Sequence, residues 1–139
     1  MSSGFDELEE LLRAEEREMY SPMVLEHGMT PRNVGRMQDA DAYGKATAAS
    51  CGDSMEIWLK VDDNMITDVN FWTDGCGISM ATGSMITEMV RDRTVFEAQM
   101  INKDDVLDAL GGLPEESEHC ALLAAETLGE AIKDYLERR

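Results

Sequence analysis

The sequence is poor in basic residues: Lys and Arg together number 12, against 29 Asp and Glu, and the formal net charge is -17. Proteins that bind nucleic acids or anionic membranes need a basic surface to neutralise phosphates. The composition therefore argues against both kinds of partner. An acidic surface is explained most simply by solubility, and the alternative is that it steers a basic protein partner toward the chain.

Long hydrophobic runs are also missing. No apolar run approaches the roughly 20 residues of a membrane-spanning helix. No charged-then-apolar leader precedes a small-residue cleavage site, and the acid-rich N-terminus is unlike a mitochondrial transit peptide. We therefore expect a cytoplasmic protein that makes no membrane contact.

Cysteine is scarce, with three residues in the chain. An odd number of cysteines in a chain without an export signal indicates free thiols rather than a disulfide framework. No Cys-x-x-Cys pair is present, although permanent zinc knuckles and ferredoxin clusters usually take their ligands from such pairs. A metal site built from these three cysteines would depend on the tertiary fold and could open.

What the chain does contain is enough apolar residues, 43% of 139, for one compact domain. Residues 5–20 combine a short apolar stripe with a glutamate-rich face, which predicts an amphipathic helix. Because the stripe is short, we expect residues 1–19 to form an N-terminal helical extension. Residues 20–139 then form the single folded domain.

Strand and helix patterns follow one another in that domain. Residues 55–61 and 65–73 alternate apolar with polar side chains around a turn at 62–64, which predicts an antiparallel hairpin. We expect Trp58 and Trp72 to cover its second face, and residues 39–49 to lead into an edge strand. Helices are predicted at residues 23–27, 79–91, 95–101, 104–110 and 118–139, with Asn102 as an N-cap and the segment 111–114 as a stop. The fold class is α+β, with helices on one face of a small antiparallel sheet.

Cys76 stands between two glycines where the strand pattern gives way to a helical one. The glycines permit a tight turn and leave the sulfur uncovered. A helix start favours thiolate over thiol, because its free backbone N–H groups stabilise an anion. The alternative is a small buried residue in a turn, since free cysteine is often buried.

The remaining cysteines are placed similarly. Cys51 lies in a turn just before the hairpin, close to Asp53, and Cys120 follows His119 at the start of the last helix. A hairpin returns the chain to the end where it began, so Cys51 and Cys76 should be neighbours. The helices after Cys76 are long enough to bring His119 and Cys120 back to that end. We therefore expect the metal-ligand cysteines to cluster at one end of the sheet.

Three thiolates, an imidazole and a carboxylate form a complete ligand set for zinc or for an iron–sulfur cluster, because soft sulfur ligands select both. The residues do not decide between the two metals, and a purely structural zinc site is a third, weaker interpretation. His27 has no thiol near it in the sequence. We expect it to pack beneath the sheet or to be exposed.

These residues carry a family resemblance. The strings are Tyr20-Ser21-Pro22-Met23-Val24-Leu25-Glu26-His27, Pro31-Arg32-Asn33-Val34-Gly35, Cys51-Gly52-Asp53, Gly75-Cys76-Gly77 and His119-Cys120. In order and spacing they resemble the iron–sulfur cluster assembly scaffolds of the IscU type, which also form the N-terminal part of NifU. The likeness covers about residues 20–139, and the combination of strings is far more specific than any one of them.

The resemblance implies a scaffold, not a classical enzyme, on which a cysteine desulfurase deposits sulfur, iron joins it, and a 2Fe–2S cluster forms before transfer to acceptor proteins. It implies that Cys51, Cys76 and Cys120 are the ligands, that Asp53 ligates metal and keeps the cluster labile, and that His119 matches the family's neighbouring histidine. Zinc would then be an occupant of the isolated protein, and a homodimer one form of the loaded protein.

Cys120 is the expected sulfur acceptor. Its helix N-terminus and the adjacent His119 both favour its thiolate. Cys76 has no basic neighbour, and Asp53 opposes thiolate formation at Cys51. The family resemblance agrees, because the cysteine of its His-Cys pair is commonly given this role. We expect persulfide first on Cys120, with Cys76 as the next candidate.

The chain departs from the family pattern before its His-Cys pair. Bacterial members have Leu-Pro-Pro-Val-Lys there, the docking site of a DnaK-type chaperone, whereas residues 113–117 read Leu-Pro-Glu-Glu-Ser. The lost lysine and the added acids argue against docking of that chaperone. SufU-type zinc-dependent sulfurtransferases carry an insertion between the second and third cysteines, and the segment between Cys76 and Cys120 is too short to contain it. NifU continues into a second domain, which we do not expect in this chain. A scaffold is therefore favoured, with a zinc-bound persulfide-accepting sulfurtransferase as the alternative.

Overall fold

The computed structural model describes residues 20–138, so the expected extension over residues 1–19 lies outside the described residues. The elements in chain order are helix α1 (Pro22–Met29), strands β1 (Ala42–Thr47), β2 (Ser54–Asp62) and β3 (Met65–Thr73), and helices α2 (Gly77–Val90), α3 (Val95–Gln99), α4 (Lys103–Leu110) and α5 (Glu118–Arg138). A short 3-10 turn at Glu115–Ser117 precedes α5. The predicted α+β fold is confirmed, and the predicted elements differ from these mainly by a few residues at their ends.

The three strands form one antiparallel sheet in the order β1-β2-β3. The expected hairpin is β2 and β3, in which Ile57 is paired with Phe71, and the expected edge strand is β1. The inner face of the hairpin is fully buried through Ile57, Leu59, Val69 and Phe71. Apolar residues at alternate positions therefore place one face of the sheet in the core.

The outer face of the sheet is only partly covered by tryptophan. Trp58 is buried and its ring lies 5.4 Å from the ring of Tyr43, centroid to centroid. Trp72 remains 42% exposed. The expectation that both tryptophans cover this face is thus right for Trp58 and wrong for Trp72. The short edge strand β1 pairs with β2, and within residues 20–138 no further strand extends the sheet beyond β3.

The helices pack on the inner face of the sheet: α5 crosses β1 and β2, and α2 lies between β3 and α1. A Cβ atom built on Gly44 of β1 would lie 2.2 Å from the backbone nitrogen of Ala131 in α5. The backbone of α5 therefore rests directly on β1, at a distance that only glycine allows. This contact sets where the first turn of α5 lies relative to the sheet.

Short, well-capped helices lead the chain from α2 back to α5. Asn102 caps α4, since its Oδ1 accepts a hydrogen bond from the Asp105 N–H at 3.0 Å and its own N–H donates to Asp105 at 3.0 Å. Gly111 ends this helix in the left-handed conformation. Both signals were predicted from the sequence. Across residues 20–138, no helix is both long and apolar enough to cross a membrane.

Candidate metal centre

Cys51 lies in the tight turn that joins β1 to β2. The Ala48 N–H donates to the Asp53 carbonyl at 2.7 Å, and the Gly52 N–H donates to the Ala48 carbonyl at 2.8 Å. Gly52 has a φ of 77°, a left-handed conformation suited to glycine. This turn exposes the Cys51 thiol and leaves Asp53 half-buried.

Hydrogen bonds hold this turn against the segment that follows β3. The Ser54 N–H donates to Asp74 Oδ1 at 2.8 Å, and the Thr73 hydroxyl donates to the Ser54 carbonyl at 2.7 Å. The Gly75 N–H in turn donates to the Thr73 hydroxyl oxygen at 3.1 Å. The turns that carry Cys51 and Cys76 therefore lie side by side, as the hairpin pattern predicts.

Cys76 is the N-cap residue of α2. Its backbone is extended, with φ -76° and ψ -176°, and no side chain caps the helix at this point. The first-turn N–H groups of α2 therefore lie close to an exposed thiol. This is the placement that the glycine-flanked motif predicts.

The first turn of α5 brings Cys120 to the same end of the sheet. Its sulfur lies 3.7 Å from the Ser79 hydroxyl oxygen of α2 and 3.6 Å from Nε2 of His119. The Ser79 oxygen also lies 3.5 Å from Oδ2 of Asp53. Ser79 thus connects a predicted ligand on α5 with one in the β1–β2 turn.

The surroundings of Cys120 differ from the sequence-based expectation. Its side chain is 2% exposed, and this burial raises the pKa of the thiol to about 11. The Ser79 hydrogen bond lowers the pKa, while charges at Cys76, Cys51 and Asp53 raise it further. The expectation that the helix start and His119 favour the Cys120 thiolate is therefore not met here, because burial favours the neutral thiol.

Electrostatic interactions of Cys120 with Cys51, Asp53 and Cys76 indicate that these four residues lie near one another at one end of the sheet. The site is not closed, however. Within residues 20–138, no group of three or more His, Cys, Asp or Glu side chains is arranged to hold a metal ion. The fold brings the expected ligands to one end of the sheet, and their side chains would have to turn toward one another to share a metal.

A groove opens beside Cys76. It has a volume of about 380 Å³ and lies between α1 and the start of α2, with Val24, Leu25, Met29 and Ile78 among its walls. Most of these walls are apolar side chains. Cys76 is therefore reachable from solvent through a concave surface, whereas Cys120 is enclosed.

His27 lies apart from this site. It is buried between α1 and α2, not beneath the sheet and not exposed as expected, because its partners are on α2 and in the following loop. Its Nδ1 lies 2.6 Å from the Ser84 hydroxyl oxygen and its Nε2 lies 3.1 Å from an Arg32 nitrogen. Burial, followed by the Arg32 charge, lowers the pKa of His27. These contacts explain His27 as a structural residue between α1 and α2.

One residue of the site, Ser79, was missed at the level of sequence. Ser79 is fully buried between Asp53 and Cys120. A Cβ atom on Gly75 would lie 2.6 Å from the Ser79 oxygen and 2.8 Å from Asp53 Oδ2, so this position admits only glycine without a shift of its neighbours. Its place in the sequence could have indicated this role, because Ser79 follows Cys76 by three residues and therefore occupies the first turn of α2.

Comparison with known proteins identifies the family to which this chain is related. The family model for the NifU-like N terminal domain matches residues 19–139. The iron-sulfur cluster assembly scaffold protein IscU 1 of Archaeoglobus fulgidus is 48% identical over 120 residues, covering 86% of this chain and 78% of that protein. The IscU scaffold protein of Escherichia coli is 39% identical over 124 residues, covering 86% of this chain and 96% of that protein.

The fold has a counterpart among solved structures. The crystal structure of a nitrogen-fixing NifU-like protein (N-terminal) from Brucella abortus superposes with a TM-score of 0.71 at 20% identity, covering 87% of this chain and 96% of that chain. At this identity the likeness concerns the fold alone. Together with the sequence relatives and the clustered cysteines, the family match identifies this chain as a member of the NifU-like N-terminal domain family.

Proposed function

We propose that this protein is a scaffold on which an iron–sulfur cluster is assembled and from which the cluster passes to acceptor proteins. The observation that carries the proposal is the convergence of Cys51, Cys76, Cys120 and Asp53 at one end of the sheet. The scaffold names of relatives at 39% and 48% identity point in the same direction. The cargo we propose is a 2Fe–2S cluster.

The three thiolates are the proposed permanent ligands of this cargo, because sulfur binds iron–sulfur clusters well. Asp53 is the proposed fourth ligand. A carboxylate is a harder ligand than a thiolate, so iron exchanges more readily at that position. His119, which contacts the Cys120 sulfur at 3.6 Å, is the alternative fourth ligand. One weak ligand beside three strong ones suits a protein that must give its cluster away.

Sulfur would arrive from a cysteine desulfurase. A thiolate of the scaffold attacks the outer sulfur of the desulfurase persulfide, the sulfur–sulfur bond breaks, and the desulfurase thiolate leaves. Two ferrous ions and two sulfur atoms delivered at this oxidation level reach the oxidised 2Fe–2S core by taking up two electrons. The proposal therefore includes an external electron donor as a co-reactant.

The entry point for sulfur remains a prediction for Cys120. Its enclosure means that the first turn of α5 would have to open when the desulfurase docks. Cys76 needs no such movement, because it is exposed beside the groove. Persulfide on Cys76 would show that the open groove, rather than the His-Cys pair, receives the sulfur.

The proposed ligands are not yet arranged around a metal, and this bears on how metal binding and folding are coupled. Since the ligands come from three separate turns, metal binding has to supply part of the free energy that gathers them. Zinc is an occupant that the same ligands would hold in the isolated protein, and a homodimer is a proposed form of the loaded protein. We place this function in the cytoplasm.

We propose that cluster release does not depend on the DnaK-type chaperone of the bacterial relatives. Residues 115–117 form a 3-10 turn rather than an extended strand, and Glu118 lies 3.8 Å from Lys103 in an ion pair. The ion pair connects the start of α5 to the start of α4. Residues 113–117 also carry two glutamates and no lysine, whereas the corresponding bacterial segment ends in a positively charged lysine.

The test is anaerobic reconstitution with ferrous iron, cysteine, a desulfurase and a reductant. We expect a brown protein with visible sulfur-to-iron absorption and equal amounts of bound iron and sulfide. Replacing Cys51, Cys76 or Cys120 singly with Ser should reduce the stable loading. A wild-type protein that stays colourless while it holds one zinc ion would contradict the scaffold and support the zinc-bound sulfurtransferase.

A further inference from the structure

Within residues 20–138, Ser79 has the one hydroxyl that contacts two of the proposed ligands. It lies in the first turn of α2, and its side chain is 0% exposed. Its oxygen is 3.5 Å from Asp53 Oδ2 and 3.7 Å from Cys120 Sγ. Neither the ligand set nor the sulfur chemistry described above uses this residue.

Both neighbours of the hydroxyl are hydrogen-bond acceptors when ionised. A serine hydroxyl has one proton, so it can donate to the carboxylate or to the sulfur, but not to both at once. A Cβ atom built on Gly75 would lie 2.6 Å from the Ser79 oxygen, so the hydroxyl lies directly against the backbone of the turn that carries Cys76. The Ser79 hydroxyl thus lies within reach of both Asp53 and Cys120, but it can donate its proton to only one of them at a time.

We propose that Ser79 is a positioning residue of the metal centre. When Asp53 binds the metal, the hydroxyl donates to the Cys120 sulfur; when Asp53 leaves, the hydroxyl donates to the departed carboxylate. The proton of the hydroxyl changes its partner and is not transferred. This inference rests on the proposed function, since it assigns Ser79 a role toward the ligands of that same site.

The proposal has two measurable consequences. A hydrogen bond to a sulfur ligand stabilises the negative charge on sulfur, and so raises the energy needed to move an electron from sulfur to the metal. Loss of a residue that orients metal ligands typically weakens metal binding by about tenfold to a hundredfold. Ser79→Ala should therefore bind metal more weakly and shift its sulfur-to-metal absorption to longer wavelength.

The test uses the full chain and two metal probes. Zinc affinity is measured by competition with a chromophoric chelator, and the sulfur-to-cobalt absorption band is recorded after loading with cobalt(II). The variants are Ser79→Ala and, as the matched control, Thr127→Val. Thr127 is equally buried, and its hydroxyl donates to the Leu123 carbonyl at 2.7 Å in α5, so the control removes a buried hydroxyl without touching the site.

We expect Ser79→Ala to bind zinc about tenfold to a hundredfold more weakly than the wild type and to show the cobalt band at longer wavelength. Thr127→Val should match the wild type in both measurements. An unshifted band in Ser79→Ala, or an affinity within twofold of the wild type, would overturn the inference while leaving the scaffold proposal standing. A wild-type protein that binds neither metal would overturn both.

Discussion

Replacing Gly44 with Ala should destabilise the protein strongly, because Gly44 is the point where α5 touches β1. The added Cβ atom would lie 2.2 Å from the Ala131 nitrogen, 2.7 Å from the Ala131 Cα and 2.7 Å from the Thr127 carbonyl oxygen. All three are backbone atoms of α5, so no side-chain rotation can relieve the overlap. The helix as a whole would have to move away from the strand.

The expected cost follows from that overlap. Overpacking of a core costs typically about 1–3 kcal/mol, and a clash with backbone belongs at the upper end, near 3 kcal/mol. The better strand propensity of Ala offsets roughly 0.5–1 kcal/mol of this cost. We therefore expect Gly44→Ala to lower the free energy of unfolding by about 2 kcal/mol or more.

The chain offers a matched control in α5, the helix that Gly44 contacts. Gly129 is exposed in α5, and a Cβ atom there would meet nothing within 4 Å. Gly129→Ala should therefore raise the free energy of unfolding by roughly 0.5–1 kcal/mol, the usual gain when Ala replaces Gly inside a helix. The same chemical change is thus expected to have opposite signs at Gly44, where the α5 backbone occupies the space of the new Cβ atom, and at Gly129, where that space is open.

Urea unfolding of the three proteins, followed by far-UV circular dichroism, measures both changes. Zinc affinity should fall along with stability in Gly44→Ala, since displacement of α5 carries Cys120 away from Ser79, and should be unchanged in Gly129→Ala. A Gly44→Ala protein as stable as the wild type would refute the direct contact between α5 and β1. The account of how Cys120 reaches the site would then be wrong.

Three further predictions concern the site itself. Asp53→Ala should hand its cluster to an acceptor several-fold more slowly than the wild type, whereas Asp62→Ala, at the opposite end of the hairpin, should not; equal rates would show that Asp53 does not control lability. Alkylation at pH 7 should modify Cys51 and Cys76 before Cys120, because a pKa of about 11 leaves roughly one in ten thousand of the Cys120 thiols ionised. Peptide mapping that finds Cys120 modified first would contradict its burial. Zinc at one hundred times its Kd should raise the free energy of unfolding by about 2.7 kcal/mol, and a chelator should reverse the effect. Thermal unfolding that is indifferent to zinc would argue against a shared site.

Local sequence patterns were sufficient to predict most of the fold. Alternation in residues 55–61 and 65–73 predicted the hairpin, and the hairpin alone predicted that Cys51 and Cys76 would be neighbours. Helical spacing, the Asn102 cap and Gly111 then predicted the helices that follow. These features depend on residues close together in the chain, which is why a single sequence contains them.

The environment of Cys120 could not be predicted in the same way. Its position at a helix start and beside His119 was visible in the sequence, and both favour a thiolate. Its burial was not visible, because the burial arises when α5 packs against α2, far away in the chain, and places Ser79 beside the sulfur. The exposure of Trp72 was missed for a similar reason, since it depends on which edge of the hairpin β1 joins.

Cluster transfer tests the central claim most directly. The protein is loaded anaerobically with isotope-labelled iron and sulfide, then mixed with an apo-ferredoxin in the presence of excess iron chelator, and the two proteins are separated. A scaffold predicts that labelled iron and sulfide appear together in the ferredoxin, in equal amounts and faster than the chelator removes iron. Label that remains on the protein, or that reaches only the chelator, would contradict the claim that this chain assembles a cluster in order to pass it on.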